Sequence, residues 1–166
     1  MREIVEIVGV ISIVAALLLI AWEIQHANRI AAADIEMQLG RGFEELYLQR
    51  ATTPDLAKLY PKMRSPGNHL VTATEASQIQ GLARHLVAIY HSAQVAHDNG
   101  LLDAQGLESY RQDLAQTLEQ LPGLAPAFVR IYDSTPEIRA MTVFEPLRDI
   151  EARPLPTTPG DTPPAD

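Results

Sequence analysis

The chain of 166 residues contains no cysteine. This absence excludes disulfide bonds, thiolate metal sites and cysteine nucleophiles at the same time. It assigns no compartment, because cysteine-free domains occur on both sides of a membrane. Fold and function must therefore be inferred from charge, hydrophobic pattern and turn chemistry.

Basic side chains are scarce, with 13 lysine and arginine residues against 21 aspartate and glutamate residues and a net charge of −8. Proteins that bind nucleic acids normally carry a clustered basic footprint. The basic residues between positions 41 and 64 are instead spread through predicted helix and turn, with acidic residues between them: Arg41, Arg50, Lys58, Lys62 and Arg64. The composition predicts that nucleic acid is not a partner.

Helix breakers are rare in the first third of the chain. No proline precedes Pro54, and the only glycines in that stretch are Gly9, Gly40 and Gly42. The stretch therefore predicts one long helix that ends near residues 49–50. An apolar stripe at helical spacing lies in its second half: Ile35, Leu39, Phe43 and Leu46.

Charge is absent from Ile7 to Trp22, and extending the run to Ile4 and Ile24 gives an apolar stretch of 21 residues. A helix of about 20 residues crosses a hydrocarbon core of about 30 Å, and carboxylates near its ends can lie at headgroup depth. The segment predicts a single membrane-spanning anchor in residues 1–25.

Two other interpretations of this segment stay open. A cleaved signal peptide needs a positive start and a small-residue site directly after the apolar run. The start here also carries Glu3 and Glu6, and the only candidate site, residues 31–33, lies nine residues beyond Trp22. The second interpretation is a buried core helix of a soluble protein, which the short uncharged length allows.

The residues at the predicted membrane edge are Trp22, Glu23, His26 and Arg29. Orientation depends on basic residues near the two ends, with Arg2 before the apolar run and Arg29 and Arg41 after it. This excess of one side chain favours a domain on the cytoplasmic side.

Capping signals predict the next two helices. Thr53 followed by Pro54 predicts the start of a short helix that Pro61 ends, followed by a loop over 61–71. Thr72 with Glu75 three residues later fits a capping box at the start of a second long helix.

Further turn signals divide the second half of the chain. Asn99-Gly100 supplies a left-handed stop, Asp103 can cap a third helix, and Pro122-Gly123 breaks it. Two shorter helical pieces are predicted at about 125–133 and 136–146, with Ser134 as a cap before the second.

No strand-length run alternates with period two, and from Arg153 onward five of fourteen residues are proline. The predicted fold is all-α, with a transmembrane helix that continues into a long helix and a small antiparallel bundle of about four to six helices. The predicted domains are an anchor (1–25), a helical bundle (26–150) and a disordered proline-rich tail (151–166).

Three stretches resemble a family of uncharacterised bacterial proteins with one N-terminal membrane helix and a helical domain of unknown function. Residues 23–29, Glu-Ile-Gln-His-Ala-Asn-Arg, are similar to the family's Gln-Ile-Arg-Gln-Asn-Thr-Arg type of segment. Residues 53–60 resemble its Asp-Pro-Glu-Leu turn into a short helix. Residues 99–103, 122–123 and 134–139 resemble its Gly-Leu-Leu-Asp stretch, proline-glycine break and final Ser-Pro-Glu-Phe-Arg piece.

The resemblance covers about residues 4–145. It differs where the family tends to carry tryptophans, because this chain has Tyr110, Phe128 and Tyr132 in those regions. The resemblance implies a single-pass protein of the bacterial cytoplasmic (inner) membrane and implies no mechanism.

Candidate catalytic groups have simpler interpretations. Glu23 and His26 have the spacing of helical di-metal ligands, but such sites need two copies of the motif and the chain has one. His91 and Asp98 share a helix face and fit a surface pair. Serines without a glycine-rich elbow do not indicate a nucleophile: Ser77, Ser92, Ser109 and Ser134. We expect no enzyme activity, no metal and no cofactor.

Small side chains mark the stretch that joins the apolar run to the bundle, and small residues let helices approach closely. The predicted interaction face is Ala27, Ala31, Ala33, Ile35, Leu39 and Phe43. The sequence therefore favours a non-enzymatic, membrane-anchored helical interaction protein whose partners are the lipid bilayer and protein. The protein would be a homo-oligomer or an accessory subunit of a larger membrane complex. The alternative is a membrane-tethered sensor or ligand-binding domain, with a cavity between helices near Tyr90 and Tyr110.

Overall fold

The computed structural model describes residues 2–65 and 71–151, and this part of the chain is helical with no strand. The all-α prediction is confirmed. The seven α-helices in these ranges are α1 (Arg2–Thr52), α2 (Pro54–Met63), α3 (Ala73–Asp98), α4 (Ala104–Gln120), α5 (Ala125–Ser134), α6 (Pro136–Arg139) and α7 (Glu145–Glu151). The predicted tail lies outside the described residues from 152 onward.

Helix α1 runs for 51 residues without a break, which confirms the predicted continuity of apolar segment and long helix. At about 1.5 Å per residue it is about 75 Å long. The predicted domain boundary at residues 25 and 26 falls inside it. Only its second half meets the bundle, where Leu39 and Leu46 are buried and Ile35 and Phe43 pack against the core.

Helix α2 extends beyond the predicted stop at Pro61 and ends at Met63. Proline has no N–H for the carbonyl four residues earlier, but it leaves the following residues able to keep helical geometry. Met63 is fully buried, and the Arg64 N–H donates to the Tyr60 carbonyl at 3.1 Å, so packing extends the helix past the proline. Thr53 is the N-cap residue as predicted, but its side chain makes no capping hydrogen bond.

The caps of α3 and α4 agree with the sequence. The Glu75 N–H donates to the Thr72 hydroxyl at 3.3 Å and the Thr72 N–H donates to the Glu75 carboxylate at 2.8 Å, which completes the capping box. Gly100 ends α3 with φ of 71°. The Asp103 carboxylate accepts the Gly106 N–H at 2.6 Å at the start of α4.

The last predicted piece, 136–146, is wrong as a single helix. It is divided into α6, a 3₁₀ turn over Thr142–Phe144, and α7, which raises the helix count above the expected range. Ser134 is the last residue of α5 and donates back to the Ile131 carbonyl at 2.9 Å, so it is not the cap of α6. Thr135 occupies that position without a side-chain capping bond.

Gln94 of α3 holds this turn in place and is the buried polar residue of the described core. Its side-chain carbonyl accepts the Thr142 hydroxyl at 3.0 Å and the Val143 N–H at 3.1 Å, while its amide donates to Asp98 at 2.9 Å. The turn thereby places Val143 and Phe144 in the core, where both are fully buried. A satisfied buried amide costs little, whereas an unsatisfied one costs the full desolvation penalty.

Gly123 lies where two elements make their closest backbone approach. A Cβ atom at this position would lie 2.8 Å from the Met63 Cα atom and 2.9 Å from the Met63 carbonyl oxygen. Both neighbours are backbone atoms at the C-terminal end of α2, so they cannot rotate away. The glycine therefore permits α2 to pack on the 3₁₀ turn Pro122–Leu124 that follows α4.

We predict that Gly123→Ala lowers the free energy of unfolding by about 1 to 3 kcal/mol, because the new methyl group must push two packed backbones apart. The matched control is Gly81→Ala on the exposed side of α3, where nothing lies within 4 Å of the new Cβ atom. That change should stabilise the protein by about 0.5 to 1 kcal/mol. Urea unfolding followed by circular dichroism in maltoside micelles measures both, and equal midpoints for Gly123→Ala and the parent chain would contradict the close approach.

Candidate functional site

The first feature of interest is the part of α1 that projects from the bundle, residues 11–30, called here the rod. Every residue of the rod is exposed. The large apolar side chains that it exposes are Ile11, Ile13, Val14, Leu17, Leu18, Leu19, Ile20, Trp22, Ile24 and Ile30. Among the described residues α1 is the one helix long and apolar enough to cross a membrane, and none of its most apolar stretch is buried against the protein.

The four predicted membrane-edge residues lie together at the end of this apolar run. Trp22 and His26 are one helical turn apart, and their rings stack with centroids 5.5 Å apart and planes 2° from parallel. Glu23 and Arg29 are also exposed. The stack makes a flat aromatic surface with polar nitrogen atoms at its rim, a combination that suits the headgroup region of a bilayer.

The six residues of the predicted interaction face separate into two groups. Leu39 is buried in the domain's own core, and Ile35 and Phe43 are half-buried against it. Ala27 and Ala33 are exposed, and Ala31 is intermediate. The larger side chains of this face therefore pack in the core of the domain, and the small ones lie at the surface.

An exposed apolar stripe lies on the opposite side of α1, and we call it the outer face. It consists of Ile30, Met37 and Leu48, each more than half exposed. Their spacings of seven and eleven residues correspond to about two and about three helical turns, so the three side chains line up. Helical spacing alone is enough to reveal this face in the sequence, although the inward stripe of Ile35, Leu39, Phe43 and Leu46 is longer and more regular.

A groove of about 480 Å³ opens between α1 and α4 beside Tyr110, one of the two residues near which the alternative interpretation predicts a cavity. Its lining residues are Glu36, Phe43, Tyr47, Leu102, Gly106, Ser109, Tyr110 and Asp113. The rings of Phe43 and Tyr110 stack on each other along one wall of the groove, with centroids 6.2 Å apart and planes 22° apart. Tyr90 lies beneath the groove, is fully buried, and meets Phe43 edge to face at 6.1 Å.

A hydrogen bond fixes the floor of the groove. The Tyr90 hydroxyl donates to the Asp113 carboxylate at 2.7 Å. Burial raises the pKa of Tyr90 well above its usual range, a hydrogen bond with Thr117 opposes this effect, and the hydrogen bond and charge of Asp113 add to it. Burial also raises the pKa of Tyr110, and the negative charges of Glu36 and Asp113 raise it further. The negative charges of both carboxylates therefore reach the Tyr110 ring that lines the groove.

Other candidate residues have structural roles. The His85 ring nitrogen lies 3.3 Å from the Gly42 carbonyl oxygen and links α3 to α1, and the His97 ring lies 3.0 Å from the Leu102 carbonyl oxygen at the end of α3. Ser92 and Ser109 donate to the carbonyl oxygens four residues earlier in their own helices. Within residues 2–65 and 71–151 no three histidine or carboxylate side chains gather as a metal site would require.

Comparison of the chain with protein-family models, curated proteins and solved structures finds no match. The resemblance to a bacterial family of single-pass membrane proteins therefore stays a prediction.

We predict that Tyr90→Phe lowers the free energy of unfolding by about 1 to 2 kcal/mol, because a half-buried carboxylate loses its hydrogen-bond donor. Tyr110→Phe is the matched control, since the Tyr110 hydroxyl makes no hydrogen bond within the described part of the chain, and we expect a change below about 0.5 kcal/mol. Urea unfolding measures both, and equal effects of the two changes would contradict the assigned bond.

The same pair of variants tests a pH dependence. The folded protein holds the Tyr90 proton above pH 10, whereas the unfolded chain releases it near that pH. Stability is therefore fully present below about pH 10 and falls as pH rises further. The fall should be shallower in Tyr90→Phe than in Tyr110→Phe.

Proposed function

We propose that the chain is a non-enzymatic helical interaction protein that the rod anchors in a bacterial inner membrane, as a homo-oligomer or as an accessory subunit of a larger membrane complex. The observation that carries this proposal is the fully exposed apolar rod, which is continuous with a helix of the folded core. The lipid bilayer is the first partner, and a protein on the outer face is the second.

The energetics of the rod support insertion by a narrow margin. Leucine, isoleucine and valine each favour membrane insertion by about 0.3 to 0.6 kcal/mol near the middle of a helix. The seven such side chains between Ile11 and Ile20 together contribute about 2 to 4 kcal/mol on that scale. No charged residue in this stretch opposes them. The excess of basic residues on the side of Arg29 and Arg41 further supports a domain on the cytoplasmic side. The chain has no other cysteine, so thiol labelling of Ser109→Cys in intact cells tests this orientation.

We predict that Leu18→Arg releases most of the protein from the membrane, because an arginine within the apolar run costs up to about 2.5 to 3.5 kcal/mol and offsets most of the apolar contribution. The matched control is Leu48→Arg, on the same helix and equally exposed at 63% against 67% for Leu18. Carbonate extraction of membranes measures the integrated fraction. Retention of both variants in the pellet, or release of both, would overturn the assignment of the rod as the anchor.

The outer face supplies the surface for a protein partner. Ile30 and Met37 expose apolar side chains directly above the predicted membrane edge, and Ala27 and Ala33 flank them without bulk. A helix that approaches this side meets small side chains at Ala27 and Ala33, which allow close backbone contact, and meets the guanidinium of Arg41 at the Met37 sulfur. The inward stripe is already satisfied by the core, so the outer face is the one that α1 can offer to another helix.

We predict that Ile30→Gln with Met37→Gln weakens assembly by about tenfold or more, the effect of losing two apolar contacts of intermediate burial. Val95→Gln is the control, because Val95 of α3 is an exposed apolar residue away from the outer face. Native mass spectrometry of the full chain released with its lipid reports copy number and co-purifying subunits. A parent chain that is monomeric and without a companion subunit would overturn the interaction proposal and leave the anchor unaffected.

A further inference from the structure

The groove between α1 and α4 is lined by both aromatic rings and carboxylates. Three aromatic rings and two carboxylates contribute to its lining: Phe43, Tyr47, Tyr110, Glu36 and Asp113. Neither Glu36 nor Asp113 forms an ion pair within residues 2–65 and 71–151, whereas five other acidic side chains of that part do. Among the described residues, negative charge at the groove is therefore left without an ion-pair partner.

Two arginines near the groove already have interaction partners outside it. Arg111 follows Tyr110 on α4, but its guanidinium donates to Glu108 at 2.7 Å and to Glu145 at 2.6 Å. Arg50, one turn beyond Tyr47 on α1, lies over the Tyr60 ring at 3.8 Å from its centroid. To reach the groove, either guanidinium would have to give up the contacts that it makes in the structure.

The aromatic rings decide what kind of cation fits. Ring faces attract cations through their quadrupole, and the attraction is largest for weakly hydrated organic cations that can shed water. The stacked pair of Phe43 and Tyr110 forms one wall, and Tyr47 adds a ring that is 61% exposed at the rim. The groove offers two carboxylates, and no three histidine or carboxylate side chains gather as metal ligands within the described residues.

The size of the groove suits a small molecule. Pockets for such ligands usually measure about 300 to 1,000 Å³ and combine apolar walls with a few polar groups. The groove measures about 480 Å³. Leu102 adds an apolar surface, and the Tyr90 hydroxyl holds one oxygen of Asp113 in place, so the charge that faces the groove is already oriented.

We propose that this groove binds an organic ammonium cation with an apolar body, held between the Phe43 and Tyr110 rings and the carboxylates of Glu36 and Asp113. The ammonium group lies over the rings and between the two carboxylates, and the apolar body lies along Leu102. The site is separate from the proposed protein contact, because the groove residues of α1 project about a third of a turn away from the outer face. Glu36 is about 20 Å along the helix from Trp22, so a bound cation would lie outside the hydrocarbon core.

The test uses the full chain in maltoside micelles with benzyltrimethylammonium as the probe. Phosphocholine lipids and detergents are left out, because their headgroup carries the same quaternary ammonium. NMR spectra of the aromatic rings should show saturable shifts at Phe43 and Tyr110, with a dissociation constant on the order of 1 mM for so small a ligand. Added salt should weaken binding, since part of the attraction is between exposed charges.

Matched variants locate the site. Glu36→Gln removes a charge that makes no hydrogen bond or ion pair in the described structure, and it should weaken binding about threefold to fivefold. Glu45→Gln removes the same charge from the same helix, about two and a half turns further on and thus on the opposite side, and should leave binding unchanged. Tyr47→Leu should also weaken binding about threefold. Because the Tyr47 ring is exposed, this change should leave the stability of the fold nearly unchanged.

Three outcomes would overturn the proposal. The first is the absence of a saturable shift at the two rings up to the solubility limit of the probe. The second is an equal loss of affinity in Glu36→Gln and Glu45→Gln, which would mean a diffuse attraction to an acidic protein. The third is equal binding of benzenesulfonate, an anion with the same ring, which would show that the groove selects the ring and not the charge.

Discussion

The ring of Tyr90 joins three parts of the molecule at one point. It meets Phe43 of α1 and Phe144 of the C-terminal 3₁₀ turn edge to face, and its hydroxyl binds Asp113 of α4. Aromatic pairs of this geometry contribute beyond the area that they bury. The angle at which α1 leaves the bundle, the stacking of Phe43 on Tyr110 and the floor of the groove all depend on this residue. A buried tyrosine serves here better than phenylalanine because one polar atom reaches a carboxylate at the edge of the core.

Much of the fold could be predicted because its signals are local. Thr72 and Glu75 satisfy the first N–H groups of α3, Gly100 adopts a positive φ, and Asp103 accepts an N–H at the start of α4. Each of these signals acts within a few residues, so the sequence around it contains the whole interaction. The unbroken α1 follows from the same logic, since the stretch has no proline and few glycines.

The differences arise where distant contacts decide the outcome. Pro61 fails to end α2 because Met63 finds a buried place against the turn that contains Gly123, about sixty residues later. The piece 136–146 is divided because Gln94 of α3 accepts two donors from Thr142 and Val143 and draws the turn inward. The groove was expected near Tyr90 and Tyr110, but its carboxylates come from two helices. No spacing within one segment reveals that Glu36 and Asp113 act on the same ring.

The absence of a hinge between the rod and the core has a mechanical consequence. Phe43 lies about 30 Å along α1 from Trp22, and an uninterrupted helix bends little over that distance. Membrane helices adjust their tilt when the thickness of the bilayer changes. With the rod in a bilayer, a change of tilt of about 10° would move the Phe43 end of the helix by about 5 Å, or turn the bundle with it. If the rod spans a bilayer as proposed, a change of bilayer thickness would therefore reach the groove, because α1 also forms one of its walls.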